Sequence, residues 1–63
     1  MKVTRVRGAC DPEPDCPTLY RTNHDTYLVQ GYVVTDPQVL AELNVPAGES
    51  VVEVPAKLVE GAP

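Results

Sequence analysis

A small α+β domain built on an antiparallel sheet is the fold class this chain predicts, and three observations carry it. Two runs rich in Thr, Tyr and Val, Thr18–Thr22 and Thr26–Val34, flank the three-residue turn Asn23-His24-Asp25. An Asp36-Pro37 pair opens a stretch of helical period, and a valine-rich run follows at Ser50–Val54. The expected core is therefore a hairpin over 18–34 plus a strand over 50–54, with one short helix over 37–43. All 63 residues read as one small domain, without repeats, linkers or low-complexity segments.

The elements follow from local chemistry. Residues 2–7 (Lys-Val-Thr-Arg-Val-Arg) are β-prone but alternate poorly, which suits a short edge strand. Residues 8–17 form an acidic, Pro-rich loop flanked by Cys10 and Cys16. Each proline fixes its own φ and pushes the residue before it towards extended geometry, so the loop is expected to be stiff. In the hairpin, Asn23 and Asp25 are residue types that tolerate left-handed backbone. Gly31 inside the second strand implies a bulge or a close approach of another backbone. Asp36 is the better N-cap because Pro37 disfavours helical geometry before it and suits the first helical position. Val39, Leu40 and Leu43 share one face of the helix. Asn44 fits a left-handed C-cap, and Pro46 blocks continuation. A helix this short has no independent stability, so it is expected to dock on the hairpin. Ala47-Gly48-Glu49 turns the chain into the last strand, and Pro55 starts a terminal helical turn that Gly61 ends.

A domain of this size buries only about 60% of the surface its unfolded chain exposes. The chain has no Phe, no Trp and three tyrosines, so Val, Leu and Ala must fill the core. Either a cross-link between the cysteines or a second copy sharing the core is expected to supply the missing stability, and the homodimer is the preferred expectation. Tyr20 and Tyr27 can pair across the hairpin as ordinary sheet packing. Together with Tyr32 and Val34 they make the expected contact surface, since tyrosine is enriched at interface anchor points.

Net charge is −4, unevenly spread. Lys2, Arg5 and Arg7 make residues 1–7 a +3 arm, whereas the remainder, with Arg21 and Lys57 against nine acids, is −7. An acidic body disfavours DNA, although Lys2, Arg5, Arg7 and Arg21 are the candidate phosphate contacts if DNA is bound. No apolar run approaches the roughly 20 residues that cross a bilayer. The N-terminus lacks the apolar core and cleavage site of a signal peptide, so no membrane partner and a cytoplasmic location are expected.

Cys10 and Cys16 are the only soft nucleophiles, and three readings stay open for them. They could remain reduced structural thiols, close as a disulfide in an oxidising compartment, or hold half of a metal site. A zinc set would draw on Cys10, Cys16 and His24, with Asp11, Asp15 or Asp25 as fourth ligand. Structural zinc knuckles usually space cysteines by two to four residues, so five residues containing two prolines fit poorly. No cofactor is expected. His24 beside Asp25 is a solvated turn rather than a catalytic pair, because adjacent turn residues rarely face each other. The one serine, Ser50, is distant in sequence, and the four glycines form no phosphate-binding loop, so enzyme activity is not expected.

Gly31-Tyr32-Val33-Val34-Thr35-Asp36-Pro37, Leu40, Leu43-Asn44-Val45 and Gly48-Glu49-Ser50-Val51-Val52-Glu53-Val54 resemble the AbrB/SpoVT/MazE swapped-hairpin family. Its members show a Gly-x-hydrophobic strand, a proline opening a short helix, a Leu-x-hydrophobic exit and a Gly-acid turn into a closing valine strand. The resemblance covers residues 31–54. It implies two chains interlocked as a dimer, with basic residues before the helix on DNA. The whole chain also resembles small bacterial proteins with a Cys-x5-Cys-Pro-Thr start. The expected function is that of a small cytosolic regulatory or accessory protein acting by protein contact as a homodimer. The alternatives are a swapped-hairpin DNA-binding regulator and a redox- or zinc-responsive switch at Cys10 and Cys16.

Overall fold

The structure is a computed structural model that describes residues 1–10 and 16–61; residues 11–15, the middle of the Pro-rich loop, and 62–63 lie outside the described residues. Five strands and two helices follow in the order β1 (Val3–Gly8), β2 (Thr18–Thr22), β3 (Tyr27–Gln30), β4 (Tyr32–Val33), α1 (Pro37–Leu43), β5 (Val52–Glu53) and α2 (Ala56–Glu60). They form a small α+β fold with two antiparallel sheets, one ordered β1-β2-β3 and one made of β4 and β5.

The expected hairpin joins β2 to β3 through the Asn23–Asp25 turn. Asp25 takes the left-handed geometry, φ 63°. The Thr22 amide donates to the Thr26 carbonyl at 2.9 Å, and the Thr22 hydroxyl accepts from the His24 amide at 3.0 Å. Thr22 is almost fully buried, so its hydroxyl satisfies turn groups that would otherwise be costly to desolvate.

The second hairpin strand does not run unbroken to Val34, as the sequence suggested. It breaks at Gly31, and its continuation β4 leaves the first sheet to pair with β5. The reason is steric. A Cβ on Gly31 would lie 2.6 Å from Val54 Cγ1 and 2.8 Å from the Glu53 carbonyl oxygen. Glycine lets the β5 backbone approach so closely that the chain changes sheets there. β5 itself is only Val52–Glu53, shorter than the expected 50–54, although the Val34 amide still donates to the Val51 carbonyl at 2.9 Å.

Helix α1 has the expected bounds because both ends are set locally. Asp36 is extended and its side chain accepts from the Gln38 amide, Pro37 occupies the first turn, and Asn44 closes the helix in the left-handed region at φ 53°. Its docking differs from expectation. The helix borders the β4–β5 pair across open grooves, lined by Leu40 with Val34 and Val51 and by Val39 with Val33 and Val52. None of its residues is buried.

The core lies elsewhere. Leu58 of α2 is the one fully buried aliphatic side chain among the described residues, joined by Pro17, Thr18 and Thr22. The Arg7 guanidinium donates from Nη1 to the Leu58 carbonyl at 2.6 Å, which places a cation at the C-terminal end of α2 where the helix dipole favours it. No helix of the described residues is long and apolar enough to cross a membrane.

Candidate functional site

Three candidate sites came from the sequence; the fold joins the two cysteines and separates His24, the basic residues and the tyrosines of the others. Cys10 and Cys16 are joined as a disulfide, with a Cα–Cα separation of 5.8 Å that lies inside the range such bonds use. The bond continues the β1–β2 ladder: the Ala9 amide donates to the Pro17 carbonyl at 2.8 Å, and the cysteines form the next step outward. The Cys16 carbonyl then accepts from the Thr18 hydroxyl at 2.7 Å and from Gln30 Nε2 at 3.1 Å, pinning the start of β2. His24 lies beyond the other end of β2, whose five residues alone span roughly 17 Å. The fold therefore does not bring His24 to the cysteines. Among the described residues no group of three His, Cys, Asp or Glu side chains is placed to hold a metal ion.

The four candidate phosphate contacts do not form one patch. Strand register puts Arg5 opposite Tyr20 on one face, and puts Arg21 and, after the register shift between Arg5 and Arg7, Arg7 on the other. Arg7 is committed to α2. Arg21 pairs with Asp25 at 2.7 Å, donates to the Thr26 carbonyl at 3.2 Å and stacks over the Tyr27 ring at 5.2 Å. The Lys2 amide donates to Asn23 Oδ1 at 3.0 Å, tying the N-terminal arm to the hairpin turn.

The tyrosines are also separated. Tyr20 lies opposite Leu28, and Arg21 lies opposite Tyr27, so Tyr20 and Tyr27 point to opposite faces and do not pair. The Tyr20 hydroxyl donates to Gln30 Oε1 at 3.4 Å. Tyr32 and Val34 belong to the β4–β5 half, where Tyr32 is 67% exposed. Adjacency in sequence could not reveal this, because residues 20 and 27 fall on one face or on two according to a register that the turn sets.

What the fold does assemble is apolar surface. Tyr27, Leu28 and Val29 of β3, Tyr32 and Val33 of β4, and Leu43 of α1 are all exposed. The groove between α1 and β4–β5 that holds Val34, Leu40, Val45 and Val51 is an open cavity of about 250 Å³. The Cα radius of gyration is 13.1 Å, against about 11 Å for a compact chain of this length. Leu58, the residue that does anchor a core, was not singled out by sequence reasoning; its signal is only a one-turn helical run between Pro55 and Gly61. No family model, curated protein or solved structure matches the chain.

Proposed function

We propose that this chain is a small accessory or regulatory module that acts through protein contact and works as a homodimer. One observation carries the reading: among the described residues a single aliphatic side chain is fully buried, while large apolar residues stand exposed on β3, β4 and α1. The resemblance of residues 31–54 to swapped-hairpin proteins supports the same reading, because it implies two interlocked chains. In the cytoplasm, the expected compartment, the glutathione pool would open the Cys10–Cys16 bond. The contact surface is accordingly argued from strands and helix and does not depend on the disulfide.

Sedimentation velocity between 1 and 100 µM tests the proposal. The expected result is a species of twice the 6.8 kDa chain mass that dissociates on dilution. A single 6.8 kDa species across that range overturns it.

A further inference from the structure

We infer that the free edge of β3 is the dimer seam, pairing antiparallel with β3 of a second copy about a two-fold axis at Leu28. This inference rests on the homodimer reading above and assigns its contact strand.

The two outer strands of the β1-β2-β3 sheet are built differently. β1 carries Arg5 and Arg7, follows Lys2, and has a register shift between Arg5 and Arg7. Charges and bulges are the devices that keep an edge strand from recruiting another strand. β3, Tyr-Leu-Val-Gln, has no charge, no proline and no bulge against β2. All four of its residues are exposed, Tyr27 at 58% and Leu28 and Val29 near 43%. One edge is defended and the other is open.

The backbone fixes which groups the open edge offers. Thr22 and Thr26 are a hydrogen-bonded pair, since the Thr22 amide donates to the Thr26 carbonyl. Such pairs alternate along an antiparallel ladder. Tyr20/Leu28 and Thr18/Gln30 are then the next hydrogen-bonded pairs, so Leu28 and Gln30 turn their backbone groups inward to β2. Tyr27 and Val29 turn theirs outward, and among the described residues no backbone hydrogen bond outside the ladder reaches either of them.

A second β3 centred on Leu28 satisfies all of these groups. Tyr27 lies opposite the partner's Val29 and Val29 opposite the partner's Tyr27, which yields four intermolecular hydrogen bonds. On one face leucine meets leucine beside Tyr20. On the other, an aromatic ring meets a β-branched side chain, a favourable cross-strand pair. No like charges meet, because the nearest acid, Asp25, is already paired with Arg21. A register centred on Val29 would set Tyr27 opposite the partner's Gly31, where the chain leaves the sheet. The neutral, self-complementary strand is what selects a second copy as occupant.

The test uses the full chain. At a non-hydrogen-bonded antiparallel position the Cα atoms lie about 4.5 Å apart, within disulfide range. Leu28→Cys is therefore expected to give a reductant-sensitive covalent dimer whose bond maps to position 28. Tyr32→Cys, more exposed than Leu28, lies four residues from the axis and beyond the point where the chain leaves this sheet, and is expected not to cross-link. Val29→Pro removes an outward N–H from each chain and is expected to weaken the dimer about 100-fold. Because proline could unfold the strand, circular dichroism accompanies that variant and Leu28→Cys decides. A wild-type dimer that neither cross-links at position 28 nor responds to Val29→Pro overturns the β3 seam and leaves the homodimer standing. Dissociation by Val29→Pro without cross-linking at position 28 overturns the Leu28-centred register. A monomeric wild type overturns both.

Discussion

Replacing Gly31 with alanine tests whether the change of sheet depends on a missing side chain. The φ of Gly31 is not positive, unlike those of Gly48 and Gly61, so the backbone itself accepts alanine. With room for a methyl group the change would stabilise the chain by about 0.4–1 kcal/mol, through lost freedom in the unfolded state. The room is absent. The added carbon meets Val54 Cγ1 at 2.6 Å, the Glu53 carbonyl oxygen at 2.8 Å and Val52 Cβ at 3.2 Å. Val54 can rotate, but the Glu53 carbonyl is backbone and moves only with β5. Overpacking of this kind costs about 1–3 kcal/mol, so the clash outweighs the entropic gain and leaves a net loss of about 1–2 kcal/mol. For a domain of this length the melting temperature should fall by about 5–15 °C. Melts must be compared at one protein concentration, because dimerisation adds its own stabilisation. Gly48 is the control: nothing lies within 4 Å of a Cβ there, and only its φ of 90° resists substitution. Asparagine, which tolerates left-handed backbone, should recover part of the loss at Gly48 and none at Gly31. A melting temperature that rises in Gly31→Ala would refute the close approach and the account of why β3 and β4 part.

Other outcomes follow from the same structure. Changing Cys10 and Cys16 to Ser should lower stability by about 2 kcal/mol, the estimate for a seven-residue closed loop, and reductant should lower the wild type equally while leaving the variant unmoved in denaturant titrations. Asp36→Ala removes the acceptor for the Gln38 amide at 2.9 Å and should cost about 1 kcal/mol, seen as reduced helical circular dichroism with the β signal retained. Thr22→Val keeps the shape but deprives the His24 and Thr26 amides of an acceptor, and chemical denaturation should report a loss of about 1–3 kcal/mol. Arg21→Ala should cost less than about 1 kcal/mol in the same assay, since its pairing with Asp25 is exposed.

The parts of the fold legible in the sequence were those fixed within a few residues. Asp36, Pro37 and Asn44 bounded α1 because caps act over a single turn. Asn23-His24-Asp25 announced the hairpin for the same reason, and Gly31 announced a close approach without saying of what. The rest depends on partners far along the chain. The exit of β4 into a second sheet depends on Val54 and Glu53, more than twenty residues from Gly31. The place of α1 beside β4–β5 follows from that exit, so the helix could not be assigned a neighbour before the strand was. The expected contact set Tyr20, Tyr27, Tyr32 and Val34 was scattered by the hairpin register, which no single side chain encodes. The disulfide was readable as one of three options; closing it needed the β1–β2 pairing that brings residues 10 and 16 together.

The link from Arg7 to the Leu58 carbonyl has a consequence for the order in which the molecule is made. It spans 51 residues of chain, whereas the turn bond from Thr22 to Thr26 spans four. Closing the longer loop costs about 2 kcal/mol more in chain entropy. During synthesis the β2–β3 hairpin has all its residues once Gln30 has emerged. The Leu58 clasp cannot exist until residue 58 is out. A growing chain therefore carries a nearly complete sheet with an uncovered side and an open β3 edge through the whole time that residues 31 to 58 are being added. The neutral strand that suits a second copy is then also the segment most in need of shielding before Leu58 arrives.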